Sequence, residues 1–204
     1  MPDLSTQLAA AMTIDRRWAE ERLRHVEARR AKGAPVDRIE AEIQARLEAS
    51  AVEVQRRTGL PLTITYPELL PVSQRRDEIL AALAAHKVVV LTGETGSGKT
   101  TQLPKMLLEA GYGRRGLVAM TQPRRVAAVA MADRIREECA AGPAVVAHSV
   151  RFDDHATPDT IIRVLTDGLL LAEAAKDPDL SRTMPSSSTR PTNAASTSTC
   201  SSAC

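Results

Sequence analysis

The feature that most limits the fold of this chain is a glycine-rich octapeptide, Gly-Glu-Thr-Gly-Ser-Gly-Lys-Thr, at residues 93–100. An apolar β-branched run, Val88 to Leu91, comes directly before it, and a segment compatible with a helix follows Lys99. A strand, a glycine-rich loop and a helix in this order are typical of a phosphate-binding loop. The alternative is a glycine-rich turn without a ligand, which the spacing and its setting together disfavour.

Each residue type in the octapeptide has a chemical reason. Gly93, Gly96 and Gly98 let the backbone curl so that successive N–H groups point inward at phosphate oxygens. The dipole of a helix that begins near Lys99 favours the same anion. Lys99 is predicted to reach the β- and γ-phosphates, and the Thr100 hydroxyl is predicted to hold Mg²⁺.

The chain divides into three regions of different character. Residues 1–58 are rich in Ala, Arg and Glu, and apolar residues recur every three or four positions between Val36 and Val54. This spacing predicts a helical leader, interpreted as a helical hairpin that serves for docking rather than catalysis. Residues 59–182 alternate strand-like and helix-like segments, which predicts an α/β fold with a parallel sheet.

The third region, residues 183–204, is mostly Ser, Thr and other small residues, with Met184 as its one large apolar side chain. It has little to bury, so the sequence predicts a disordered tail. The three cysteines, Cys139, Cys200 and Cys204, lack the neighbours of a metal site and are interpreted as incidental. No apolar run is long enough to span a bilayer, so a cytoplasmic protein without a membrane partner is predicted.

Composition says little about the partner. The net charge of +2 does not indicate nucleic acid, and with 2% aromatic residues no base-stacking platform is visible. Any claim about a nucleic acid therefore depends on local motifs.

Four segments of the second region occur in an informative order, namely Gly93 to Lys105, Thr121 to Ala128, Val150 to Asp154, and Thr166 to Leu170. They resemble motif I, motif Ia, the turn before motif Ib, and motif Ib of the DEAH-box ATP-dependent RNA helicases. The helical leader and Ile64 to Ser73 resemble the bacterial HrpA-type subgroup. One departure is Ala147-His148, where the family usually has Gly-Tyr, so His148 is interpreted as a packing or surface residue.

The resemblance implies a RecA-like P-loop domain, with ATP and Mg²⁺ as cofactors and single-stranded RNA as the partner. In the family, nucleotide binding is coupled to movement along RNA through contacts to the backbone that do not read sequence. The implied ATP-binding residues are Gly93, Glu94, Thr95, Gly96, Ser97, Gly98, Lys99, Thr100 and Thr101, with Lys99 as the catalytic residue and Thr100 as the Mg²⁺ ligand. The implied RNA-binding residues are Pro123, Arg124, Arg125, Thr166, Asp167 and Gly168.

The Asp-Glu-Ala-His motif that the family places after motif Ib is missing, and Thr189-Arg190-Pro191-Thr192 stand in its place. Read one base earlier, with a free choice of third bases, the codons of the tail spell Ile-Ile-Asp-Glu-Ala-His-Glu-Arg. We therefore interpret residues 183–204 as an out-of-frame tail that follows a frameshift near Arg182.

Three functions remain open at this point. The chain can be a fragment of an ATP-dependent RNA helicase that lacks hydrolysis and unwinding, because the motif II carboxylates and the second RecA-like domain are absent. It can be a non-catalytic module that binds nucleotide or RNA, or a helical interaction fragment. Because motif II and the second RecA-like domain are missing, we also predict an incomplete RecA-like domain whose P-loop strand has unpaired edges and exposed apolar faces.

Overall fold

The computed structural model describes residues 3–178, 180, 183–191 and 196–201, with backbone only for the last two ranges. The chain separates into two compact units, residues 1–59 and residues 60–204. No helix in the described part of the chain is long and apolar enough to cross a membrane.

The first unit consists of helices α1 (Leu4–Ala10), α2 (Thr13–Arg30) and α3 (Asp37–Thr58). The turn between α2 and α3 contains Gly33, whose φ of 67° lies in the left-handed region that glycine adopts without strain. The apolar stripes of the helices meet in a small core of Ala11, Ala19, Val26, Val36, Ile43 and Leu47. The stripe read from the sequence thus becomes the core of this unit, while α1 was not predicted.

The second unit alternates helices and strands after residue 60. Helices α4 and α5 precede the first strand, and the remaining elements build a sheet with helices packed against it. The elements are α4 (Pro71–Gln74), α5 (Arg76–Ala85), β1 (Val88–Leu91), α6 (Lys99–Glu109), β2 (Leu117–Gln122), α7 (Arg125–Glu138), β3 (Val146–Val150), β4 (Asp153–Asp154), β5 (Ile162–Thr166), α8 (Asp167–Lys176), β6 (Thr183–Pro191) and β7 (Ser196–Ser201).

The sheet has the strand order β1-β7-β6-β2-β5-β3-β4. Its centre is parallel, because β2 pairs in parallel with both β6 and β5, and β5 pairs in parallel with β3. β7 runs antiparallel to both β6 and β1, so β1 has the direction of β2. The carboxyl ends of β1, β6, β2, β5 and β3 therefore lie at one edge of the sheet.

The core of the second unit explains why its central strands are nearly continuous apolar runs. Val118, Met120, Ile162 and Val164 are fully buried, as expected for strands covered on both faces. Leu107 of α6 is likewise fully buried and belongs to the same core cluster. The α/β fold with a parallel sheet, predicted from the alternating pattern, is confirmed.

Within the segment that was predicted to be disordered, residues 183–191 form β6 and residues 196–201 form β7. A strand needs backbone donors and acceptors more than apolar side chains, and Thr is a residue type that strands favour. The tail supplies such a backbone beside β2, whose other edge is taken by β5. Residues 192–195 and 202–204 of the same segment lie outside the described residues.

Strand β1, which leads into the octapeptide, is joined to the sheet through β7. The expectation that both of its edges are unpaired is therefore wrong for the edge that faces β7. Its apolar faces are open as expected, since Val88 is 57% and Val90 is 60% exposed. A β-branched strand with these exposures is an aggregation hazard.

Candidate functional site

The octapeptide forms the connection between β1 and α6 that its sequence predicts. Gly96 and Gly98 have φ values of 86° and 88°, in the left-handed region that side chains other than glycine rarely adopt. A Cβ atom at Gly98 would lie 2.8 Å from Leu70 Cδ1 and 3.2 Å from Val72 Cγ1. Gly98 is therefore required both by its backbone conformation and by close packing against the segment that precedes α5.

Lys99 folds back onto the loop. Its Nζ donates to the carbonyl oxygen of Gly93 at 2.7 Å, to that of Glu94 at 2.6 Å and to Ser97 Oγ at 2.8 Å. The side chain is almost fully buried, and this desolvation lowers the pKa of Lys99, opposed by the nearby charge of Glu94. The loop thus holds one ammonium group in its centre through three oxygen acceptors.

The start of α6 presents backbone donors to the same place. Gly98 is the residue that caps the helix, and it provides no side-chain hydrogen bond to the first N–H groups. Those N–H groups and the helix dipole favour an anion. Thr100, the predicted Mg²⁺ ligand, lies half-buried in the first turn, directly after Lys99.

A cavity of about 420 Å³ adjoins the loop. Residues 92–97 and Lys99 form one wall, and α4, α5 and the end of β1 form the other through Pro71, Val72, Arg75, Ile79 and Leu91. A volume of this size suits a small-molecule ligand. Arg75 was not recognised from the sequence, because an arginine pair in a helical segment is usually a solvated surface feature.

The two segments predicted to contact RNA meet at one edge of the sheet. Gln122, at the end of β2, is opposite Thr166 at the end of β5. The chain continues from β2 through the exposed residues Pro123 and Arg124 into α7, and from β5 directly into α8. The amino ends of α7 and α8 therefore lie side by side at this edge, where both helix dipoles favour an anion.

Two buried polar atoms at this edge have no hydrogen-bond partner among the described residues. They are Gln122 Nε2, on a side chain that is 7% exposed, and Asp167 Oδ1. The side chain of Arg125 already makes one hydrogen bond, because its Nη2 donates to the carbonyl oxygen of Arg151 at 3.1 Å. Buried polar groups are nearly always satisfied, so Gln122 Nε2 can donate and Asp167 Oδ1 can accept a hydrogen bond from water or a ligand at this edge.

Both groups of predicted residues lie at the same edge of the sheet, together with part of the tail. Leu91 of β1 is opposite Ser198 of β7, and Ser198 is opposite Thr189 of β6. The backbone of Thr189 therefore lies in one row with Leu91, two residues before the octapeptide. Arg190 follows it at the end of β6.

One cluster behind the loop was missed in the sequence. Lys105 is fully buried on α6, where its Nζ donates to Glu138 Oε2 at 2.7 Å and to the Thr65 carbonyl oxygen at 2.8 Å. Gln102 Nε2 donates to the same Glu138 oxygen at 2.8 Å. Burial raises the pKa of Glu138, but the hydrogen bonds from Lys105 and Gln102 outweigh it and hold the pKa below its usual value. A lysine among apolar helix residues carries no signal of such a distant partner.

The fold and the edge geometry define the class of this molecule: a RecA-like α/β arrangement preceded by a helical leader. Comparison with known proteins identifies a more specific group within this class. The chain is 43% identical over 176 residues to an ATP-dependent RNA helicase HrpA homolog of Haemophilus influenzae, a match that covers 85% of the chain and 13% of that protein. It is 47% identical over 137 residues to the ATP-dependent RNA helicase HrpA of Escherichia coli, covering 67% of the chain and 10% of that protein.

A human protein, the ATP-dependent RNA helicase DHX33, is 48% identical over 128 residues, which cover 62% of the chain and 16% of that protein. No protein-family model matches the chain. The chain belongs to the HrpA-type family of ATP-dependent RNA helicases, and it spans about one eighth of the length of the Haemophilus relative.

Proposed function

We propose that the chain binds a nucleoside triphosphate, ATP in the first place, through residues 93–101. The observation that carries this proposal is the loop itself, in which left-handed glycines, the free amino end of α6 and the buried ammonium of Lys99 converge. Phosphate oxygens would take over Lys99 from the loop oxygens that now hold it. The relatives support this ligand, since their names describe them as ATP-dependent.

Mg²⁺ fits the donors at this place. Thr100 offers a hydroxyl in the first turn of α6, next to the ammonium of Lys99 and the amino end of the helix. A hydroxyl oxygen is a suitable ligand for this hard cation, which is bound by few protein groups together with phosphate oxygens. When bound, Mg²⁺ would neutralise charge on the phosphates, and Thr100 would be its protein ligand.

We further propose that the edge formed by residues 123–125 and 166–168 binds the backbone of single-stranded RNA without reading its sequence. Phosphate groups suit the paired amino ends of α7 and α8 and the exposed Arg124. The orphaned Gln122 Nε2 donor lies at the same edge. The names of the relatives support RNA as the nucleic acid, and a cytoplasmic location fits both ligands.

The third part of the proposal is that this chain does not hydrolyse ATP. In a P-loop NTPase one carboxylate helps to hold Mg²⁺, and another residue orients the attacking water. The residues at the corresponding place in the sequence are Thr189 and Arg190, at the end of β6. Neither can act as a carboxylate, so the chain holds nucleotide without the groups that activate water.

A competition titration tests nucleotide binding. The full chain is titrated with a fluorescent ATP analogue in the presence of Mg²⁺, and unlabelled nucleotides are added as competitors. Because the loop is built to hold the β- and γ-phosphates, ATP and ADP are expected to compete at least about 10-fold more strongly than AMP, which is the loss of one charge-assisted contact. Equal competition by AMP would contradict the assignment of the loop.

A second titration tests the RNA edge. Replacing Arg124 with alanine is expected to weaken binding of a single-stranded oligoribonucleotide by a similar factor for every sequence, and to reduce the slope of log K against log salt by about 1. Arg115→Ala, outside the proposed edge, is the matched control and should leave the slope unchanged. A loss confined to one RNA sequence would contradict backbone binding.

A further inference from the structure

A second cluster of ligand-type side chains lies away from the loop, on the hairpin formed by β3 and β4. His148 is on β3, Asp153 is on β4, and His155 follows β4. Within the described residues these three form a group whose ligand atoms all lie within 4.8 Å of one another. The proposed nucleotide and RNA functions do not use it.

The ligand atoms of the cluster are near enough to one another to share one ion. Asp153 Oδ1 is 2.7 Å from His155 Nε2, and Asp153 Oδ2 is 3.4 Å from His148 Nε2. The two imidazole rings have their centroids 4.5 Å apart. Ligands about 2.0–2.2 Å from one tetrahedral ion are a little over 3 Å apart, so small side-chain movements bring all three onto a common centre.

The backbone holds the two histidines opposite each other. The N–H of His155 donates to the carbonyl oxygen of His148 at 3.1 Å, and Val150 pairs with Asp153 in the hairpin. The side chain of His148 is 12% exposed, whereas those of Asp153 and His155 are 50% and 56% exposed. The cluster is therefore anchored on its inner side and open to water on its outer side, which leaves room for a solvent ligand.

Two charged residues beside the cluster, Arg136 and Asp154, bear on whether it can bind a cation. Arg136 Nη2 is 3.4 Å from His148 Nδ1, and its positive charge opposes a second cation. Arg136 is held elsewhere, by the Val146 carbonyl oxygen at 2.9 Å and by Asp133 at 2.6 Å, so it can give up the His148 contact. On the other side, Asp154 is engaged by Ser149 and Arg163 rather than by the histidines.

We propose that His148, Asp153 and His155 bind one divalent transition-metal ion of the Zn²⁺ type, with water in the remaining position. Two imidazoles and one carboxylate are a ligand set that Zn²⁺ accepts in proteins. The ion would tie β3 to the segment after β4 and so fix the exposed turn at Arg151 and Phe152. This inference does not depend on the proposed nucleotide or RNA binding.

Titration of the full chain with Co²⁺, followed by displacement with Zn²⁺, tests the site. One equivalent is expected to give visible d–d bands without a thiolate charge-transfer band. Asp153→Asn and His155→Ala should each weaken binding at least about 10-fold, because losing a ligand costs no less than losing a group that supports one. Arg136→Gln is expected to strengthen binding.

The controls separate this site from other ligands in the chain. His86→Ala, a histidine outside the cluster, should bind as the unmodified chain does, and so should a variant with Cys200 and Cys204 replaced by serine. Circular dichroism establishes that each variant is folded. Absence of binding, or binding that persists in folded Asp153→Asn and His155→Ala, or that disappears with the two cysteines, would overturn the proposal.

Discussion

Replacing Lys99 with alanine is expected to weaken the binding of Mg·ATP by about 10- to 100-fold. The reason is the loss of an ammonium that the loop holds in its centre, where a hydrogen bond from a charged donor contributes about 1.5–3 kcal/mol. In the structure Lys99 Nζ already lies within 2.8 Å of three loop oxygens, so it is positioned before the ligand arrives. Equilibrium titration with a fluorescent ATP analogue measures the change.

Two variants show whether the loss is specific. Lys176→Ala removes an exposed lysine from the last turn of α8 and should not alter binding. Thr100→Ala removes the proposed Mg²⁺ ligand, and it should lower affinity in the presence of Mg²⁺ more than in its absence. Unchanged affinity for Mg·ATP in a folded Lys99→Ala chain would show that the loop does not bind the nucleotide.

Replacing Lys105 with alanine is expected to destabilise the second unit by about 3–5 kcal/mol. Such a cost is typical when one partner of a buried ion pair is removed. Arg134 still donates to Glu138 Oε1 at 2.8 Å in the variant, so the lower end of this range is expected. The side chain of Lys105 is 1% exposed and that of Glu138 is 13% exposed, so little water can replace the lost contact. Urea unfolding followed by circular dichroism measures the change in the free energy of unfolding.

The same pair gives the second unit a dependence on pH. The folded-state pKa of Glu138 is lowered, so its stabilising contribution is complete above its ordinary value of 4.5 and is lost as pH falls through the lower folded value. Acid should therefore destabilise the unmodified chain more than Glu138→Gln.

A Lys105→Met and Glu138→Leu double variant should recover most of the lost stability. A single Lys105→Ala change that costs under about 1 kcal/mol would contradict a buried pair.

The secondary-structure elements around the loop could be predicted from the sequence, because each of them depends on residues within the element itself. The β-branched run of β1, the left-handed glycines and the helix after Lys99 follow from residue types and spacing alone. That residues 123–125 and 166–168 lie at one edge also follows once the strands are parallel. The inward fold of Lys99 could not be predicted, because it depends on how the loop oxygens turn in space.

Long-range contacts could not be predicted from the sequence, because they also depend on how distant segments come together in space. Nothing near Lys105 indicates that Glu138 lies beside it, since the two residues are on different helices. The tail was expected to be disordered because its side chains bury little, yet β6 and β7 form through their backbones. Composition reports on side-chain burial, whereas strand pairing depends on a neighbouring edge that only the assembled sheet provides.

We propose that this chain binds nucleotide without the carboxylates that activate water, because Thr189 and Arg190 stand in their place. Phosphate release by the full chain with Mg·ATP and single-stranded RNA, at nucleotide concentrations that saturate binding, tests it most directly. Saturable nucleotide binding is expected, with no phosphate release above that of the Lys99→Ala chain. Multiple turnovers stimulated by RNA, and lost in the Lys99→Ala chain, would contradict it.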